Sequence, residues 1–185
     1  MPTVLIAYAS THGHTGRIAA RLRDVLREAG LDAELARLGA QDDLSPDGAD
    51  AVVVGGSIHV GKHQPEVVAW LRAHRTTLSR MPSALFSVSM TAADPGPEAQ
   101  ATARGYVDGL LDDTGWTPGA TACFGGALQY REYGRLTRLL MRLMARRHDQ
   151  PTDVAHDHDY TDWAAVERFG RDFAAQLTAT AAPAR

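Results

Sequence analysis

The sequence holds a single cysteine, Cys123, in a run that reads as a buried strand, which rules out an intramolecular disulfide and any multi-cysteine metal site. A reducing, cytoplasmic setting is therefore expected. An excess of basic charge is also missing: 22 Asp and Glu against 19 Lys and Arg leave a formal net charge of -3, so nucleic acid is not an expected partner. No apolar run reaches the roughly 18 residues of a spanning helix. The start of the chain has no basic n-region, no long apolar stretch and no cleavage site, so a secretory signal is not expected. Internal repeats and low-complexity linkers are absent. With 44% hydrophobic and 22% charged residues the composition is that of a folded domain and argues against disorder. For 185 residues one domain over 1–180 is expected, with 181–185 as a frayed tail.

What is present is alternation. Short apolar runs at Thr3-Tyr8, Ala33-Arg37, Ala51-Ser57, Ala84-Met90 and Ala120-Gly125 are separated by helical patterns near Thr15-Ala29, Pro65-Leu78 and Glu98-Thr114, and a last one covers Trp163-Leu177. In the first helix Ile18, Leu22, Val25 and Leu26 recur three or four apart, as do Val166, Phe169, Phe173 and Leu177 in the last. This is the mark of βαβ units, and it predicts an α/β fold with a five-stranded parallel sheet covered on both faces. Gly30 sits where the first helix should stop, and Pro65 and Pro97 sit where later ones should start. Asp42-Asp50 reads as a surface loop. The stretch 126–159 is too long for an ordinary connection and predicts an inserted segment with structure of its own. The Ala-rich tail after Leu177 is expected to fray.

The first strand runs into the first helix through Ser10-Thr11-His12-Gly13-His14-Thr15. The first backbone N–H groups of a helix lack partners and its dipole is positive there, so main-chain donors and the hydroxyls of Ser10, Thr11 and Thr15 can hold a phosphate without a lysine. A P-loop is excluded because Gly-Lys-Ser/Thr is absent, and a dinucleotide loop because G-x-G-x-x-G is absent. A mononucleotide remains. The competing explanation is that Ser10 and Thr11 only cap the helix. His12 and His14 can donate to the phosphate or to a substrate anion; no metal is expected at either.

In an open parallel sheet, ligands bind beyond the carboxyl ends of the strands, at the switch point. After the third strand comes Gly55-Gly56-Ser57-Ile58-His59-Val60-Gly61-Lys62-His63, whose glycines allow close backbone approach and whose Ile58 or Val60 can pack on a flat ring. After the fourth, Ser87, Val88 and Ser89 lead into Met90-Pro95, small and hydroxylic residues suited to a polyol chain or a polar ring edge. Gly125, Gly126 and Ala127 follow the fifth strand on the same edge.

With these motifs in place, the chain resembles the flavodoxin superfamily and, more closely, the menaquinone-dependent protoporphyrinogen oxidases of bacteria, from Val4 to about Leu177. The residues that carry the likeness are the Ser10-Thr15 loop, Val53 to His63, Met81 to Ser89, Phe124 to Tyr130, and Tyr160-Thr161-Asp162-Trp163. The resemblance implies a doubly wound sheet of order 2-1-3-4-5 with FMN held noncovalently at its carboxyl edge. It implies oxidation of a porphyrinogen by hydride transfer to the flavin, reoxidation by a quinone, and a place in haem biosynthesis. It also implies that the insertion, here 126–159, lies near the flavin. After its Gly-Ala-Leu element the family tends to carry arginines and aromatics, whereas this chain has Gln129, Arg131, Glu132 and Gly134.

Within the insertion, Leu136, Leu139, Leu140, Leu143 and Met144 fall on one helical face and Arg135, Arg138, Arg142 and Arg146 on another. Such a basic amphipathic helix over 134–147 suits either anionic lipid or substrate carboxylates, giving peripheral contact with the inner face of the cell membrane. An ordinary surface helix with its leucines in the core fits the same pattern. Arg131, Arg135 and Arg138 are the substrate-contact candidates; no general base is assigned. Three functions stay open at this stage: a porphyrinogen dehydrogenase, a flavodoxin-like electron carrier, and an FMN-dependent quinone reductase.

Overall fold

Each apolar run becomes a strand, and the strands line up in parallel. The structure, a computed structural model, describes residues 1–40, 44–128 and 158–181. Strands β1 (Thr3–Tyr8), β2 (Asp32–Arg37), β3 (Ala51–His59), β5 (Ser83–Ser89) and β6 (Ala120–Gly125) form the sheet in the order β2-β1-β3-β5-β6. All four neighbouring pairs on that path are parallel. Counting only those five strands, this is the expected 2-1-3-4-5 order. Helices α1 (His14–Glu28), α2 (Pro65–Leu78), α3 (Pro97–Thr114) and α4 (Trp163–Ala181) supply the crossovers and the final cover.

Two cores follow from the pleat. Val4, Ile6, Val53, Ala84, Phe86 and Val88 pack with Ile18, Leu22 and Leu26 of α1 and Val166, Phe173 and Leu177 of α4. The alternate residues, Ala7, Val52, Val54 and Leu85, meet Val67, Trp70 and Leu71 of α2 and Val107 and Leu110 of α3. Both faces of β3 and β5 are thus covered, which is why these strands read as apolar runs rather than as alternation. Fully burying one such Leu, Ile or Phe stabilises the fold by about 1.5–3 kcal/mol. Across the α1–α4 seam the Arg21 guanidinium donates from Nε and Nη2 to Glu167 Oε1 at 3.1 and 2.9 Å.

The turn signals hold. The α1 helix ends in a Schellman motif, with Gly30 N–H donating to Arg27 O at 2.9 Å and Leu31 N–H to Leu26 O at 3.1 Å. Pro65 and Pro97 open α2 and α3.

Four expectations need correction. The segment after the third strand is a hairpin, not an open loop: β3 runs to His59 and pairs antiparallel with β4 (Lys62–His63). Its two-residue turn uses Val60 (φ 50°) and Gly61 (φ 77°), both left-handed, as a type I′ turn demands. A Val-Gly pair is not the usual Asn-Gly or Asp-Gly signal, so the sequence hides it. The tail after Leu177 does not fray at once, since α4 continues to Ala181, in keeping with alanine's helix propensity. Cys123 is only half-buried because β6 is a sheet edge. Finally, Gly55 serves the core rather than a ligand: a Cβ there would overlap the Phe86 ring of the neighbouring strand.

The insertion is bracketed by β7 (Ala127–Leu128) and β8 (His158–Asp159), which pair antiparallel. The proposed helix over 134–147 lies outside the described residues, as do Arg131, Arg135 and Arg138 and most of the expected tail, 182–185.

Candidate functional site

The β1–α1 junction is built to leave donors unused. Ala9 N–H donates to Gly55 O at 2.9 Å, fixing the end of β1 against β3, and Arg37 Nη2 holds Ser10 O at 2.9 Å. The chain then turns through Gly13, whose φ of 81° admits a side chain only with strain. The first helical hydrogen bond of α1 runs from Arg17 N–H to Gly13 O at 3.1 Å, so the N–H groups of His14, Thr15 and Gly16 precede it. Among the described residues no side chain caps this helix. Ser10 and Thr11 therefore do not do what the competing explanation required of them. Ser10 Oγ is buried with no hydrogen-bond partner among the described residues, and Thr11 Oγ1 lies 3.0 Å from His59 Nε2. An orphaned hydroxyl beside an uncapped helix start is the donor set a phosphate takes.

A cleft opens above this corner. It has a volume of about 140 Å³ and is lined by Ser10, His12, His14 and Thr15 from the loop and by Ser57, Ile58 and His59 from β3. Val88, Ser89 and Met90 from the end of β5, and Gly126 and Ala127 beyond β6, complete it. Four strand ends that are far apart in sequence thus meet at one edge, as the switch-point rule requires. A larger cavity of about 330 Å³ lies against α2 and α3, lined in part by Lys62, Tyr106 and Asp113. It has no helix-start amide and lacks the donor set of the smaller cleft.

Some of the expected residues lie elsewhere. Thr11, Gly13, Ser87 and Gly125 do not line the cleft. Thr11 points to His59, and Gly13 shapes the turn. The Ser87 hydroxyl is buried 3.0 Å from His63 Nε2, on the α2 side of the sheet. A Cβ on Gly125 would strike the Tyr160 carbonyl, so its role is to let that segment pack close.

One residue of the site was not singled out from the sequence. Gln64, at the start of α2, accepts from Ser57 N–H at 2.8 Å through Oε1 and donates to Ser57 Oγ at 2.6 Å through Nε2. Ser57 Oγ also lies 3.1 Å from His59 Nε2. A relay of hydrogen bonds therefore runs from Gln64 through Ser57 and His59 to Thr11, tying the β3 wall to the phosphate corner. Pro65 was the available hint, because it places Gln64 at a helix N-cap. Met90, exposed and apolar, forms part of the rim. Burial, and then the neighbouring His12, hold His59 below its ordinary value. Burial alone pushes His63 down to about 4.

Comparison with known proteins agrees with this geometry. The flavodoxin domain family matches residues 5–155. The chain belongs to the flavodoxin family. That membership implies flavin binding. Two named relatives sharpen the placement. The protoporphyrinogen IX dehydrogenase [quinone] of Escherichia coli strain K12 is 31% identical over 170 residues, covering 92% of this chain and 93% of that protein. A protein of the same name from Leishmania major is 32% identical over 175 residues, covering 94% of this chain and 75% of its own length. Among solved structures, a short-chain flavodoxin associated with a bacterial microcompartment superposes with a TM-score of 0.60 at 17% identity, over 98% of this chain and 100% of that one. Oxidised flavodoxin 1 from Bacillus cereus gives 0.59 at 16% identity, over 95% and 99%. These structures speak to the fold, while the named relatives are enzymes. Among the described residues, no helix of the flavodoxin domain is long and apolar enough to cross a membrane.

Proposed function

We propose that the cleft holds FMN and that the chain is a quinone-linked oxidoreductase acting on a porphyrinogen, as the names of its relatives describe for those proteins. The observation that carries the FMN reading is the uncapped start of α1 facing the Ser10 hydroxyl, which has no partner among the described residues. The phosphate would take the amides of His14, Thr15 and Gly16 with the Ser10 and Thr15 hydroxyls. The β3 and β5 walls would take the ring, Ile58 and Met90 giving apolar contact and Ser57 a polar edge. Bound FMN supplies the two-electron redox chemistry. The protein's own residues bind, orient and shield it. Quinone would accept the electrons at the open rim, and the basic segment 134–147 would rest against the membrane surface that carries the quinone.

Riboflavin lacks the phosphate, so it should bind about a hundredfold or more weaker than FMN, since charge-assisted hydrogen bonds contribute about 1.5–3 kcal/mol each. Quenching of flavin fluorescence on titration with the protein measures both affinities. Equal affinities would remove the phosphate corner. Anaerobic photoreduction of the reconstituted protein, followed by separate challenge with protoporphyrinogen IX and a menaquinone analogue, then tests the reaction. Reduction without turnover of either compound would leave an electron carrier.

The arginines that follow the fifth-strand loop are assigned to the carboxylates of the substrate. Arg131→Ala and Arg138→Ala should each raise the apparent KM for porphyrinogen about tenfold, the loss of one charge-assisted hydrogen bond, with the FMN affinity unchanged. An unchanged KM in both variants would remove them from the substrate site.

A further inference from the structure

His14 is the first residue of α1, is 6% exposed, and lines the cleft. Its Nε2 lies 2.7 Å from Thr161 Oγ1. The Thr161 hydroxyl has one proton and two oxygen acceptors for it, Gly125 O at 2.8 Å and the Asp159 carboxylate. Oγ1 must therefore accept from His14, which places the proton of the neutral ring on Nε2. Asp159 Oδ1, 3.7 Å from Nε2, favours the same tautomer. Nδ1 is left as a bare lone pair, buried and without a partner among the described residues. A lone pair cannot face a phosphate oxygen, but an Nδ1–H can.

We propose that His14 takes up a proton at Nδ1 as the phosphate of the mononucleotide enters the corner, becoming the cationic ligand that the loop otherwise lacks. The inference rests on the FMN reading above. The proton comes from solvent, Nε2–H stays on Thr161, and no other bond changes.

The surroundings make this uptake conditional on the anion. Without a ligand, burial holds His14 below its ordinary value, Asp159 pulling it up and Arg17 pushing it down. The positive end of α1 also opposes a cation at that place. A phosphate reverses the sign of the local field. Asp159 is ready to stabilise the charged ring. Burial pushes its carboxyl up, but the Thr161 backbone N–H and hydroxyl, His14 and Arg17 outweigh that and hold it below the usual range. Arg17 Nη2 lies 3.3 Å from Asp159 Oδ2, and its guanidinium sits 5.5 Å from the centre of the Trp163 ring, which meets His14 edge-on at 6.2 Å. The other histidines lining the cleft are His12 and His59, whose ring centres are 6.3 Å apart. A test must separate His14 from these two.

Isothermal titration of the protein with FMN at about pH 7.5, in two buffers of different ionisation enthalpy, counts the protons taken up. At that pH the phosphate is already mostly dianionic, its second pKa being about 6. The expected result is uptake of about one proton with FMN and none with riboflavin. His14→Gln keeps an amide donor for Thr161 but cannot titrate, and should abolish the uptake. The ratio of wild-type to variant FMN affinity should rise about tenfold between about pH 8 and about pH 6.5. Should the variant not fold, nitrogen-15 spectra of the wild-type imidazoles still decide. They should show His14 with a proton on Nε2 alone before FMN and on both nitrogens after. Tight FMN binding without proton uptake, or with equal uptake in wild type and variant, overturns the role of His14 and leaves the FMN reading intact. Failure of the folded protein to bind FMN at all overturns both.

Discussion

Replacing Phe86 with alanine should lower the free energy of unfolding by about 3–5 kcal/mol, measured by urea denaturation. Phe86 is fully buried, and its ring lies 6.1 Å from that of Phe124, which meets Phe169 edge-on at 5.9 Å. The ring occupies the space a side chain on Gly55 would need, and Gly55 is its direct partner in the β3–β5 register. Two residues on, the same register pairs Ser57 with Val88, both on the wall of the cleft. A cavity at Phe86 should therefore weaken FMN binding as well as the fold. The pair can be tested for coupling. Gly55→Ala alone overpacks the site and should cost about 1–3 kcal/mol. Combined with Phe86→Leu, which frees space in front of Gly55, the two changes should cost less than the sum of their separate effects. Strict additivity would show that the ring and the glycine do not share the space.

Acid should destabilise the protein largely through His63. Its folded pKa is pushed down to about 4 by burial, against about 6.5 in an unfolded chain. Between those values the unfolded state binds the extra proton, so stability is fully present above about pH 6.5 and falls as pH drops. The loss grows by about 1.4 kcal/mol per pH unit and reaches about 3 kcal/mol near pH 4. His63→Gln retains an amide that can meet the Ser87 hydroxyl, 3.0 Å from the native Nε2, but has no proton to gain. Comparing unfolding free energies at about pH 7.5 and about pH 5, the wild type should lose about 2 kcal/mol more than the variant. His14 is also depressed and acts in the same direction in both proteins, so the difference isolates His63. Parallel losses would clear His63 of the effect.

Much of the fold was legible because its signals are local and periodic. Ile18, Leu22, Val25 and Leu26 recur at helical spacing and all of them are buried on α1. Continuous apolar strands announced a sheet covered on both faces, and Gly30, Pro65 and Pro97 marked helix ends at or next to where they occur. The β3–β4 hairpin was missed because Val60 is a poor advertisement for a left-handed turn. The glycines at 55 and 125 were legible as glycines, but what approaches each one was not.

The candidate site divides in the same way. The Ser10-Thr15 loop stood out because a strand, a hydroxyl-rich turn and a helix follow one another within a few residues. The Gln64–Ser57 clamp and the Thr161–His14 contact left no such trace, the latter joining residues 147 positions apart.

By itself, then, the sequence determined the order of strands and helices, the kind of core on each face of the sheet, and the loop that opens the first helix. Those depend on spacing and on backbone preference, which act between near neighbours in the chain. Only the tertiary structure decided that, among the described residues, the helix start is uncapped and Ser10 Oγ has no partner, and which nitrogen of His14 carries its proton. Hydrogen-bond satisfaction is a property of whatever the fold brings together, and a chain of residue names does not contain it.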